Sequence, residues 1–208
     1  PTSSVTLRRS DVERLENTEA SQIANVAVLT NADPRPGNLV RTPGLFPRFS
    51  WALKPYLSLG AMLAAQFDCA NRLFGLEFRA LSGPFYHPDV RGWEVTRNGA
   101  HVAVFLGDYY ARGSKRSGAW CSAMRSQRKL GGDVRPIVVN VCNFAKGDPA
   151  LLSYDDARTL FHEFGHALHQ MLSDVTYGFI SGTSVARDFV ELPSQLYEHW
   201  LEVPEVLQ

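Results

Sequence analysis

Residues 159–200 read TLFHEFGHALHQMLSDVTYGFISGTSVARDFVELPSQLYEHW. At the centre lies His162-Glu163-Phe164-Gly165-His166, an H-E-x-x-H pattern. Residues four apart share one face of an α-helix, so both imidazoles can turn towards a single metal ion. Neutral imidazole suits zinc, and a catalytic zinc typically keeps three protein ligands and leaves its fourth position to water. Glu163 follows the first histidine and can reach that water without becoming a ligand, which is a general base's position. The best third ligand is Glu191, 25 positions after His166 (191 − 166). It lies in an amphipathic run from about Val185 to Leu201 that reads as a second helix, with Pro193 expected to kink it. Phe161, Phe164, Leu168 and Leu172 would bury the first helix even without a metal, so a purely structural helix is the competing reading. His169 shares the stripe but lies further along the axis, where packing or support of a ligand suits it better than ligation. Gly165 costs about 1 kcal/mol of helix propensity against alanine. Close approach of another backbone would account for it.

Upstream, the pattern changes period. Leu59, Met62, Leu63, Phe67, Ala70, Leu73 and Phe74 recur near helical spacing between Lys54 and Phe74, and Gly75 is the expected stop. Gly92–Thr96 and His101–Tyr110 read as two strands joined through Asn98-Gly99, whose tolerance of positive φ marks a hairpin. Residues 135–144, RPIVVNVCNF, form a short β-branched run. Asp148-Pro149 and Ser153-Tyr154-Asp155-Asp156 follow it and introduce the histidine helix. Between residues 111 and 120 the chain carries a basic, glycine-bearing loop with Lys115 and Arg116 at its centre, lacking the order of a phosphate-binding G-x-x-x-x-G-K-[ST] motif. Residues 1–50 are the least informative: Ser10-Asp11-Val12-Glu13 can start a short helix, and the runs at 31–37 and 42–44 break regular structure.

Composition narrows the function classes. Lys+Arg and Asp+Glu stand at 21 each, so no overall basic surface argues for nucleic acid. No run of 18 or more apolar residues occurs and the N-terminus lacks a signal-peptide core, so no membrane partner is expected. Three cysteines, Cys69, Cys121 and Cys142, are an odd count without close pairing, the pattern of reduced thiols in a cytoplasmic protein.

The stretches FHEFGHALHQ and FISGTSVARDFVELPSQLYEHW, with GDYYARGSKRSGAWC, RLFG and Lys54-Pro55-Tyr56 upstream, resemble the M3, or thimet oligopeptidase, family of zinc peptidases. The likeness covers about three quarters of the chain and leaves out residues 1–50. It implies one Zn2+ per chain held by His162, His166 and Glu191, with Glu163 as the base in hydrolysis of short peptides by a zinc-bound water. It also implies that Val139 and Val141 pair with substrate backbone on a cleft-wall strand, although an interior strand fits the same residues. Gly182 either lines the cleft or turns the chain. Asp188 or Glu198 can orient a zinc histidine, the alternative for Glu198 being a solvated helix face. The 111–120 loop is structural or borders the cleft.

The expected architecture is α+β and zincin-like: a small antiparallel-containing sheet packed on helices, one carrying H-E-x-x-H and a second supplying the glutamate. Residues 1–50 are expected to be a poorly defined N-terminal segment, and 51–208 a partial catalytic domain. Family members are several times longer and use tyrosine and histidine residues well downstream of the third ligand. A zinc-binding but catalytically incomplete fragment, at most an interaction module, is therefore the alternative to an active enzyme. Neither oligomeric state nor the choice between endopeptidase and dipeptidyl carboxypeptidase action is encoded in these motifs.

Overall fold

A computed structural model of the protein describes residues 54–203. The expected helix at Ser10, the breaks at 31–37 and 42–44, and the 1–50 segment lie outside the described residues.

Helix α1 (Leu59–Phe74) follows a 3-10 turn over Lys54–Tyr56. Ser58 caps its start, the hydroxyl accepting from the Ala61 amide at 3.2 Å. Gly75 ends it in the left-handed region at φ 67°, its N–H returning to the Asn71 carbonyl. The expected stripe holds for Leu59, Met62, Leu63 and Ala70, which are buried, while Leu73 and Phe74 in the last turn are exposed.

Strands β1 (Leu76–Leu81), β2 (Arg91–Arg97), β3 (Ala100–Tyr110), β4 (Trp120–Arg125) and β5 (Ile137–Phe144) form one sheet in the order β1-β2-β3-β5-β4. The Asn98-Gly99 hairpin is present, with φ of 51° and 76° at the two turn residues and Arg97 opposite Ala100. The sheet is mixed: β3 and β5 run parallel, and the other pairs are antiparallel. β5 is thus interior, and among the described residues β1 and β4 are the edges.

Helix α2 (Tyr154–Met171) carries H-E-x-x-H and packs across the sheet. Its start is a capping box: the Asp156 amide donates to Ser153 Oγ, and the Ser153 amide donates back to the Asp156 carboxylate, each at 3.0 Å. Phe164 fixes the packing. Its ring centroid lies 5.2 Å from Phe105 on β3, 5.6 Å from Phe67 on α1, 5.7 Å from Phe78 on β1 and 5.6 Å from Tyr197. One apolar core therefore joins sheet and helices around the residue next to Glu163.

The second helix differs from expectation. Residues 185–191 are turns, helix α3 spans only Leu192–Glu198, and a 3-10 turn over His199–Glu202 follows. Pro193 does not kink it. It sits in the first turn, where a missing N–H costs nothing. Glu191 is the residue before the helix instead of part of its body. Gly165 is where α3 crosses α2: a Cβ there would stand 2.6 Å from Ser194 Cα and 2.7 Å from the Pro193 carbonyl oxygen. None of the three cysteines is in a disulfide. Among the described residues no helix is long and apolar enough to cross a membrane.

Candidate metal centre

One helical turn separates His162 from His166, and their rings stand 4.9 Å apart at 86°. Glu191, at the start of α3, comes to both: its Oε2 is 3.2 Å from His162 Nε2 and 3.1 Å from His166 Nε2. One donor atom from each of the three residues lies within 4.8 Å of the others. The close crossing at Gly165 makes this possible, because it draws the α3 backbone onto the turn of α2 that carries the histidines. Ser194 steadies the carboxylate, its hydroxyl 2.9 Å from Glu191 Oε2.

The second nitrogen of His162 is also engaged. Glu198, one turn beyond Ser194, has Oε1 2.5 Å from His162 Nδ1, and Arg158 donates from Nε to Glu198 Oε2 at 2.6 Å. Arg158 and His162 are themselves one turn apart, so a single carboxylate bridges two neighbours on α2. A proton on Nδ1 shared with Glu198 would leave the Nε2 lone pair for an ion on the side of Glu191 and His166.

Burial sets the charges. It holds the His166 imidazole below its ordinary pKa, with nearby Glu191 opposing, so the ring is neutral at pH 7. Burial would raise Glu191, but the Ser194 hydroxyl and the two histidines outweigh it and keep the carboxyl below its usual range. Neutral imidazoles and an ionised carboxylate are what a divalent cation accepts. His166 Nδ1 and Glu163 Oε2 are buried without a protein partner. Glu163 is pushed up to about 7, first by desolvation and then by the Glu191 charge, with His162 opposing. A carboxyl poised near neutrality can both take and return a proton.

The remaining sequence-derived residues fare differently. The backbones of Val139 and Val141 are paired on one side with Leu106 and Asp108 of β3 and on the other with Ser122 and Trp120 of β4. They have no free edge for a peptide, and their side chains pack in a small apolar cluster with Val90 and Leu106. Interior pairing, the other option for this strand, is the correct one. The edge is β4, whose Cys121 Sγ accepts from Gln170 of α2 at 3.2 Å. Gly182 turns the chain at φ 56° against Gln170, its N–H donating to Ser173 Oγ at 3.0 Å, and it also lines an apolar groove with Leu168, Leu172 and Leu196. Asp188 is exposed and forms no hydrogen bond or ion pair with either histidine. Glu198 meets His162 Nδ1 and Arg158 and is not a solvated face residue. His169 stays off the metal side, its ring 6.2 Å from Phe189. Sequence reading missed Ser194 and Arg158, although each stands three or four positions from a candidate ligand.

Known proteins resemble the chain over most of its length. The model for peptidase family M3 matches residues 49–208, and the chain belongs to that family. It is 48% identical over 160 residues to the dipeptidyl carboxypeptidase of Escherichia coli (strain K12), an alignment covering 74% of this chain and 23% of that protein. Oligopeptidase A of the same organism is 39% identical over 163 residues, with 74% and 24% covered. Mitochondrial intermediate peptidase 1 of Cryptococcus neoformans is 32% identical over 197 residues, with 75% and 26% covered. The chain spans about a quarter of the length of these curated relatives.

Proposed function

We propose that this chain is a zinc-dependent peptide hydrolase core of the zincin type, acting on short peptides. The observation that carries the reading is the convergence of His162 Nε2, His166 Nε2 and a Glu191 oxygen beside the buried Glu163 carboxyl. Two imidazoles and a carboxylate are a donor set that suits zinc. The ion, when bound, supplies a Lewis acid that polarises a peptide carbonyl and acidifies water.

The protein's own residues do the rest. Glu198 and Arg158 hold the His162 ring in one tautomer, and Ser194 holds Glu191. Glu163, projecting from the same helical turn but not among the converging donors, accepts a proton from the attacking water and returns it to the departing amine. The residues under the site, Phe164 and Ala167, are fully buried and keep water from the sheet side of α2. The substrate backbone pairs with the outer edge of β4, which has β5 as its one strand neighbour among the described residues and lies beside α2. Three unpaired cysteines fit a reducing compartment, the cytoplasm.

The test joins metal content to chemistry. Elemental analysis of the purified chain should return one zinc. An internally quenched short peptide should be cleaved by the unaltered chain and left intact by Glu163→Gln, which keeps shape but cannot serve as the base. Zinc without cleavage that depends on Glu163 would establish the catalytically incomplete alternative, and absence of zinc would overturn the site.

A further inference from the structure

The loop of residues 111–119, between β3 and β4, is held by a lysine with almost no exposed surface. The Lys115 side chain is 5% exposed. Its ammonium donates to the Asp108 carbonyl at 3.0 Å, to the Tyr110 carbonyl at 2.8 Å and to the Cys142 carbonyl, with Asp108 Oδ1 3.2 Å away. These carbonyls belong to the ends of β3 and β5, where the register of the pair shifts between Asp108 and Tyr110. A register shift interrupts the ladder, and three N–H donors on one nitrogen match three converging carbonyls. Asp108, 2% exposed, supplies the counter-charge and is gripped by Arg112 at both oxygens, 2.6 and 2.7 Å, and by the Tyr86 hydroxyl at 2.9 Å.

The far half of the loop is tied down separately. Asn143 of β5 donates from Nδ2 to the carbonyls of Arg116 and Gly118, 2.7 Å each, and the Arg116 guanidinium lies 5.7 Å from the Trp120 ring centre. β4 begins at Trp120. Its residues from Ser122 to Arg125 are exposed, and β5 is its single strand neighbour among the described residues. An edge strand with so little burial takes its position from its ladder and from the segment that leads into it.

We propose that Lys115 is a positioning residue for peptide binding: by fastening the 111–119 loop to the ends of β3 and β5, it fixes the outer edge of β4 on which an extended peptide pairs. This rests on the peptide-hydrolase reading above. It assigns the basic loop a role in substrate recognition that involves no contact between Lys115 and the substrate. Removing the ammonium leaves Asp108 with Arg112 and Tyr86, so the main effect falls on the loop and on β4, not on the core.

The experiment uses the full chain, zinc-loaded and carrying Glu163→Gln so that bound peptide is not consumed. Lys115→Met and Lys115→Arg are compared with the unaltered Lys115. Three quantities are read: amide hydrogen exchange by mass spectrometry, zinc affinity by competition with a chromogenic chelator, and anisotropy of a fluorescent pentapeptide. Lys115→Met is expected to speed exchange across residues 119–126 and to weaken the pentapeptide by about tenfold each, with exchange in α2 and zinc affinity held within about twofold. Lys115→Arg, which keeps charge and donors, is expected to recover part of both losses. Unchanged β4 exchange, or exchange raised equally in α2, overturns the proposal, as does a loosened β4 with undiminished peptide affinity. A protein that binds no peptide even with Lys115 in place refutes the peptide-hydrolase reading and this role with it, and is told apart by failing before any lysine variant is made.

Discussion

His162 can serve as a ligand through Nε2 in only one neutral tautomer, the one in which Nδ1 carries the proton and shares it with Glu198. Carboxylates in this position typically account for about 10–100-fold in metal affinity. Glu198→Ala is therefore expected to weaken zinc by that factor in a chelator competition while leaving the far-UV circular dichroism unaltered; an unchanged affinity would remove Glu198 from the site. Gly165 gives an equally sharp expectation with two opposing effects. Alanine is the better helix former by about 1 kcal/mol. Its Cβ would stand 2.6 Å from Ser194 Cα and 2.7 Å from the Pro193 carbonyl, which are backbone atoms that cannot swing aside. The clash wins, and it pushes away the start of α3, where Glu191 sits. Gly165→Ala should lower both the melting temperature and the zinc affinity, and a higher melting temperature would show that α3 does not cross there. The need for a close approach at Gly165 is legible in the sequence as a glycine in an otherwise good helix. The identity of the approaching backbone is not, because it depends on how a seven-residue helix packs.

At the level of elements, Asp108 ties β3 to the loop that follows. Burial would raise its carboxyl, but hydrogen bonds from Arg112, Tyr86 and Lys115 more than offset that and hold its pKa below the usual range. A depressed native pKa contributes stability that is present above the unfolded value, about 3.9, and is lost as pH falls through the native value. Urea midpoints measured down a pH series should fall in the acid range below about pH 4. Asp108→Asn should be destabilised near neutrality by about 1–3 kcal/mol, since Lys115 keeps its carbonyl acceptors and Arg112 is partly exposed, and should show a flatter acid limb. An acid limb of unchanged slope would mean that other carboxyls dominate. Elements with a strong local signal were readable. α2 announces itself by its capping box and apolar stripe, and the β2–β3 hairpin by Asn98-Gly99. β1 went unread although Leu76, Phe78 and Ala80 alternate with Glu77 and Arg79, a period-two pattern over five residues. β4 lacks even that, since an edge strand exposed from Ser122 onward has no buried face to impose alternation. The second helix was read too long because the apolar spacing of residues 185–190 continues through what are largely exposed turns.

On the scale of the molecule, the candidate donors join α2 to the chain that leads into α3, so an ion bound there would cross-link two elements of the same core. An ion that binds only the native state, at about 100 times its dissociation constant, adds about 2.7 kcal/mol. For a chain of this size that corresponds to a rise of roughly 5–10 °C in melting temperature. Calorimetry with zinc and with excess chelator should differ by this amount, and Glu191→Ala should abolish the difference; equal melting temperatures would show that the ion does not bridge the two elements. The sequence alone determined the pair His162 and His166 and the adjacent Glu163, because helical geometry places residues four apart together whatever surrounds them. It also carried Glu191, through a motif long enough to resemble a family. Only the tertiary structure decided that Glu198 and not Asp188 supports His162, and that β4 and not β5 offers a free edge. The reason is physical: side-chain partners across two helices and the neighbours of a strand are set by long-range packing and register, and neither leaves a periodic trace in the residues concerned.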